Sequence, residues 1–446
     1  MNPSRIALGL MAWMAAAPAV ADCVPGFQME AQAAMGDLTR TQGFLGAVLV
    51  AVDGRPVLRT ASGLANRDWG VANTPETRFR IGSMTKPFTA ISILQLAEQG
   101  KLSVEDPISS HYAAAPQAWA AVTIRQLLTH TSGIPDYIFT ESFQRNGLAH
   151  ASTPQELVDH VSALPLDFPP GDGWRYSNTG YVLLGMIVEQ ASGQAYGDYV
   201  EAHIFKPAGM TDSGYERMSA ILQQRASGYI SASDTWLNAP YLDSSNAYAA
   251  GGLYSTVDDL LKWDRALDAG TLLNAASQAA MFSDYRNHYG LGWQVDRKWD
   301  RDRLMHGGAT PGFQSSFQRY PEVGLTVVAL SNSEYGAAEK LATDLAAFCL
   351  GADPYPNEIP VPADVLDRYV GAYKFNDMTV RVTRDGDRLV TRFGPQPPAL
   401  LYATNETAFF QKVAEATLEF RLGEGGEVAG MVVHQNGQDY TFNRLP

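Results

Sequence analysis

The apolar residues of this chain fall into stretches of different period, and each period predicts an element. Between 27 and 39 they recur at helical spacing and give a short amphipathic helix. From Phe44 to Val52 they are nearly continuous, and Val57-Leu58 follow after Asp53-Gly54, a dipeptide that favours a two-residue hairpin turn. The run Ile91-Ser-Ile-Leu-Gln-Leu-Ala97 is apolar on nearly every side and predicts a helix buried all round, closed by Gly100. Residues 105–280 read as mostly helical, with helices over 124–128, 154–161, 181–191 and 256–266 and long irregular connections. The connection 134–153, carrying Tyr137, Phe139 and Phe143, is expected to act as a lid or pocket wall. Strands return near 290–295, run from Gly312 to Tyr320, turn at Pro321-Glu-Val-Gly324 and come back over 325–330. A helix over 337–350 ends this part. Strand hairpin, helices, antiparallel strands and a last helix predict an α+β domain with its first and last helices on one sheet face.

Prolines 354, 356, 360 and 362 mark 351–362 as a linker. Beyond it, apolar and polar residues alternate over 379–384, 388–393, 418–422 and 431–435, with turn dipeptides Asp385-Gly386 and Asn436-Gly437. Residues 363–446 are therefore expected to form a small all-β module, a closed or nearly closed barrel. At the other end, Arg5, the apolar stretch 6–17 and Ala19-Val20-Ala21 have the shape of a secretory signal over 1–21. That stretch is shorter than the roughly 20 residues a spanning helix needs. Asp22 before Cys23 disfavours a lipid anchor. The expectation is an exported, periplasmic or secreted protein without a stable membrane anchor, whose first domain covers 22–350.

A net charge of −14 speaks against nucleic-acid partners. The eight scattered histidines and two distant cysteines give no zinc-type spacing, so neither a metal nor a cofactor is expected. In an oxidising compartment the two cysteines have one intramolecular pairing, Cys23–Cys349; two buried thiols are the alternative.

The candidate chemistry begins at Ser83-Met84-Thr85-Lys86, just ahead of the buried helix. Three residues apart at a helix start, Ser83 and Lys86 share a face. A serine hydroxyl needs a neighbouring base to become a nucleophile, and a buried lysine near a helix N-terminus is biased toward the neutral form that can act as one. A second group is Trp174-Arg175-Tyr176-Ser177-Asn178-Thr179-Gly180, where Tyr176 and Asn178 can point the same way from an extended loop. The third is His306-Gly307-Gly308-Ala309, entering the strand expected from Gly312. Glycines beside a strand mark close backbone approach. An edge strand opposite Ser83 could hold a substrate, and the N–H groups of Ala309 and Ser83 could form an oxyanion hole. His306 is expected to add a cationic or donor group beside Tyr176.

Ser-x-x-Lys, Tyr-x-Asn and His-x-Gly in this order resemble the class C β-lactamase and D,D-carboxypeptidase family of serine hydrolases. So do Leu127-Leu-Thr-His-Thr-Ser-Gly133, Phe205-Lys-Pro-Ala-Gly-Met210 and Ala250-Gly-Gly-Leu-Tyr-Ser-Thr256. The resemblance implies that Ser83 is acylated, that Lys86 and Tyr176 exchange the proton, and that Asn178 and His306 support them. β-Lactamases usually carry Lys-Thr-Gly at the third motif; the His-x-Gly form here resembles the D-aminopeptidase and D,D-carboxypeptidase branches, and the glycine pair the esterase branch. Leu366-Asp-Arg-Tyr-Val-Gly-Ala-Tyr373 looks like an appended lipocalin-like barrel. The expected activity is hydrolysis of a small ester, amide or peptide, by an esterase or D-aminopeptidase-like enzyme. A β-lactamase or D,D-carboxypeptidase is the alternative, and an acyl-trapping sensor a further one. Oligomeric state is left open.

Overall fold

Strand β1 (Gly46–Val52) is buried along its whole length because both of its faces are covered. In the computed structural model, which describes residues 22–40, 44–232, 235–435 and 437–446, β1 lies inside a six-stranded antiparallel sheet. The other strands are β2 (Arg55–Ser62), β3 (Gln294–Lys298), β4 (Arg301–Thr310), β5 (Phe313–Tyr320) and β6 (Leu325–Ser331), in the order β3-β4-β5-β6-β1-β2. The expected signal segment 1–21 and Asn436 of the second expected turn lie outside the described residues.

The two-residue period of a strand sorts its side chains. Val48, Val50 and Val52 face the first helix, α1 (Phe27–Arg40), and the last one of this domain, packing with Ala31, Leu38, Leu341 and Leu345. Ala47, Leu49 and Ala51 face α2 (Thr85–Glu98) and the helical part. Between these come α3 (Asn178–Ser192) and α4 (Val257–Asp268); α5 (Ala338–Leu350) closes the domain. Helix α2 is enclosed on nearly every side, as its sequence predicts: of its residues, Thr85 to Leu94 and Leu96 are all buried. Phe88 stacks on Trp263 of α4 at 4.2 Å, and Trp263 on Trp293 at 5.3 Å. With α1 and α5 on one sheet face, Cys23 and Cys349 meet in a disulfide, which removes the buried-thiol alternative.

One expectation needs correcting. The glycine pair does not lead into a strand at Gly312. His306 to Thr310 already belong to β4, and Pro311-Gly312 is the turn into β5. Gly308 is inside the ladder because β4 presses there against the turn ahead of α2; Gly307 faces Glu339 and Ser315 at ordinary contact distance. Strand β3 pairs with β4 only from Arg301 to Met305, so the outer edge of His306 to Thr310 is left open.

The C-terminal part is a closed eight-stranded barrel: β7 (Gly371–Phe375), β8 (Met378–Asp385), β9 (Arg388–Phe393), β10 (Ala399–Ala403), β11 (Ala408–Gln411), β12 (Ala416–Leu422), β13 (Val428–Gln435) and β14 (Gln438–Arg444). Helix α6 (Ala363–Tyr369) inserts Leu366 and Tyr369 into its core. The segment before it is not a free spacer. Tyr355 donates to Asp344 of α5 at 2.6 Å, Tyr402 of the barrel donates to Asp37 of α1 at 2.9 Å, and Lys412 Nζ lies over the rings of both tyrosines. Among the described residues no helix is long and apolar enough to cross a membrane.

Candidate active site

Gly82–Met84 forms a single 3₁₀ turn that runs into α2, so Ser83 sits one turn ahead of Lys86. Lys86 Nζ lies 3.0 Å from Ser83 Oγ, 2.8 Å from Asn178 Oδ1 and 2.9 Å from the Ala250 carbonyl oxygen. Two of these three partners can only accept. A neutral amine has two hydrogens, which satisfy Asn178 and Ala250 and leave its lone pair toward Ser83, the one partner able to donate. Lys86 is completely buried. Burial draws its pKa down to about 7, with the carboxylate of Asp136 pulling the other way.

Tyr176 precedes the cap of α3: the Ser177 hydroxyl accepts from Gly180 N–H, and Asn178 is the first helical residue. The phenol of Tyr176 lies within interaction range of Ser83, and its ring lies 4.6 Å from Lys86 Nζ. Burial raises its pKa well above the usual phenol range, so the group is a proton donor at neutral pH. His130 packs its ring 4.2 Å from that of Tyr176 and accepts from Ser177 N–H through Nδ1 at 3.1 Å. It thereby orders this loop.

The structure brings the third motif alongside. A Cβ on Gly308 would lie 1.9 Å from the Ile81 carbonyl oxygen and 2.9 Å from Ser83 N, so only glycine allows β4 this close to the nucleophile. Gly82, at φ +52°, makes the reciprocal approach: its Cβ would sit 2.8 Å from Ala309 N. The N–H groups of Ser83 and Ala309 thus lie beside one another at the open edge of β4. His306 is placed differently from the expectation. It is 3 % exposed, with Nε2 2.9 Å from the Tyr289 hydroxyl and Nδ1 2.6 Å from the Gly307 carbonyl oxygen. Burial, helped by Lys86, lowers its pKa to about 3, so it is a neutral structural group and not a cation facing the cleft.

Sequence reasoning did not single out Asp136. Its carboxylate accepts from Asn178 N–H at 3.1 Å, Asn178 Nδ2 at 2.8 Å and Ile138 N–H at 3.2 Å. By taking the amide nitrogen of Asn178 it turns the amide oxygen toward Lys86. Its place three residues after Gly133 in a family-like stretch was the available signal.

Ser83, Asp136, Tyr176, Asn178 and Ala309 open onto a cleft of about 730 Å³. Tyr137, Ile138, Phe139 and Phe143 form one wall, which bears out the expected role of 134–153 as a pocket wall. Leu242, Asn246 and Ala247 form another, and Ala309 to Pro311 the floor beside Ser83. Tyr137 ties two of the walls together by donating to the Asn246 carbonyl. Among the described lining residues Asp136 carries the single charged side chain.

Sheet, helical part and cleft define a domain of the penicillin-binding-protein/β-lactamase superfamily, followed by a closed barrel. The Beta-lactamase family profile matches residues 31–351, and a domain of unknown function (DUF3471) matches 355–444. The chain belongs to the β-lactamase family. It is 32% identical over 431 residues to penicillin-binding protein 4* of Bacillus subtilis (strain 168), covering 89% of this chain and 94% of that one. The solved penicillin-binding protein from Bacillus halodurans is 31% identical, with TM-score 0.62, over 70% of this chain and 98% of that one. A D-stereospecific amidohydrolase from Streptomyces sp. is 29% identical, with TM-score 0.62, over 74% and 99%. This kinship supports a serine-hydrolase-like role on small substrates.

Proposed function

We propose that the protein is an exported serine hydrolase that cleaves small amides or esters through an acyl-enzyme on Ser83. The observation that carries this reading is the 3.0 Å approach of the buried Lys86 amine, its pKa drawn down to about 7, to the Ser83 hydroxyl. Lys86 takes the hydroxyl proton as Ser83 Oγ bonds to the substrate carbonyl carbon. The resulting oxyanion is held by the N–H groups of Ser83 and Ala309. Tyr176 gives its proton to the departing amine or alkoxide and recovers one through Lys86. Water then attacks the acyl carbon, and the same groups return Ser83 to its starting state. Asn178 fixes the amine in place. A tyrosine in this position fits the class C branch, and the barrel fits a lipocalin-like appendage.

Charge narrows the substrate. β-Lactams and D-alanyl-D-alanine peptides present a carboxylate, whereas the described lining of the cleft offers one carboxylate of its own and no lysine or arginine. His306, the residue in the place of the usual lysine, is buried and neutral. Neutral or amine-bearing substrates with an apolar side chain suit this cleft, and the D-stereospecific amidohydrolase makes a D-amino amide the natural choice. The test is a panel on purified protein: a short acyl ester, a D-alanine amide, a D-Ala-D-Ala peptide and a chromogenic cephalosporin. The ester or the D-amino amide is turned over fastest, and Ser83→Ala lowers that rate by about 10³-fold or more. A cephalosporin rate far above both would overturn the substrate assignment.

A further inference from the structure

The barrel is closed at one end and hollow at the other. At the α6 end its interior is filled: Tyr369 stacks on Phe420 at 4.2 Å, and Tyr373 donates to the Tyr369 carbonyl at 2.7 Å. At the opposite end, where β7, β9, β11 and β13 finish and β8, β12 and β14 begin, lies a cavity of about 630 Å³. That volume lies within the range of small-molecule sites, roughly 300–1,000 Å³.

Its lining is chemically selective. Phe375, Phe393 and Phe442 provide aromatic surface, with Met378 half-exposed at the rim. The polar side chains are amides and phenols: Gln396, Gln411 and Gln435 from the barrel, Gln314 from β5, and two tyrosines. Among the described residues of the lining none is charged, in a chain that is 18% charged. An ionic ligand would lose its hydration here without a counter-charge, whereas an uncharged ligand with hydrogen-bonding groups would not. The far wall comes from the first domain, through Gln314, Tyr335 and Ala337. The neighbouring Glu334 accepts from Gly312 N–H at 2.5 Å, in the turn whose Thr310 and Pro311 line the catalytic cleft. The cavity therefore needs both domains to be complete.

We propose that this barrel mouth is a second ligand site, separate from Ser83, which takes a neutral amphiphile: an apolar ring or chain carrying an uncharged amide, ester or amine. The full-length protein is titrated with the neutral dye N-phenyl-1-naphthylamine and, in parallel, with the anionic 1-anilinonaphthalene-8-sulfonate, following fluorescence. The expected result is saturable binding of one neutral dye per chain, unchanged after Ser83 is blocked by a fluorophosphonate, with the anionic dye at least roughly tenfold weaker. Ala414→Trp and Gln396→Trp, each on a loop at the rim, narrow the mouth and weaken the neutral dye by roughly tenfold or more. Circular dichroism identifies whichever variant keeps the fold. No saturable binding, loss of binding on blocking Ser83, equal affinity for the anionic dye, or full affinity in the folded rim variants would each overturn the proposal.

Discussion

Asp136 is a buried carboxylate with its acceptor sites directed at Asn178 and Ile138, and it acts on the nucleophile at two removes. It orients the amide that orients Lys86, and its charge opposes the burial that depresses the Lys86 pKa. The sign of its removal follows. Without the carboxylate the ammonium form of Lys86 is less favoured, so Asp136→Asn moves the acid limb of kcat/KM below its wild-type position near pH 7, and lowers kcat by loosening Asn178. A pH–rate profile of the two proteins checks this; an unmoved limb would contradict it. His306 gives the complementary expectation. Its pKa of about 3 keeps it neutral from pH 5 to 8, so His306→Gln leaves the position of that limb unchanged even if the rate falls. At this scale the sequence was legible where spacing carries the chemistry. Ser83 and Lys86 are neighbours because a helix start makes them so. Asp136 was not singled out, and a cationic His306 was offered where burial makes it neutral, because burial and partners from distant segments decide both.

Among the elements, α2 and β4 differ in how openly the sequence declares them. A run that is apolar on nearly every side, bounded by Pro87 and Gly100, has one reading, a buried helix, and Gly100 indeed takes φ +69°. Strand β4 contains Gly307 and Gly308, which weaken any strand signal and suggest a turn. The reason for glycine at 308 is the neighbouring backbone at Ile81 to Ser83, a contact across more than 220 positions of sequence. Gly308→Ala tests this at the level of the element. The added methyl cannot coexist with the Ile81 carbonyl, so β4 shifts away from Ser83, and the two N–H groups separate. A loss of about 10²-fold in kcat is expected, as for misplacement by about 1 Å, with circular dichroism showing the fold retained. Wild-type turnover in that variant would mean that β4 does not build the oxyanion site.

For the whole molecule, the layered order of helices is readable from period alone and is compatible with a Cys23–Cys349 pairing, but the disulfide itself, against two buried thiols, is visible only in the structure. The barrel was likewise visible in its alternation, but its hollow end and its docking onto α1 and α5 were not, since both depend on side chains from separate domains. The disulfide joins segments 326 residues apart, so its reduction frees a very long loop of the unfolded chain. A loss of about 2–5 kcal/mol is expected, read as a lower Tm by calorimetry with reductant, while turnover at temperatures well below melting stays the same. An unchanged Tm would place the stability of this layer wholly in its apolar packing.

The central claim is that the Ser83 hydroxyl, activated by Lys86, becomes covalently acylated. Intact-mass analysis after exposure to a serine-reactive fluorophosphonate tests it most directly. The account predicts one adduct per chain, mapped to Ser83, absent in Ser83→Ala and formed much more slowly in Lys86→Ala. Equal labelling of the wild type and Ser83→Ala would contradict it.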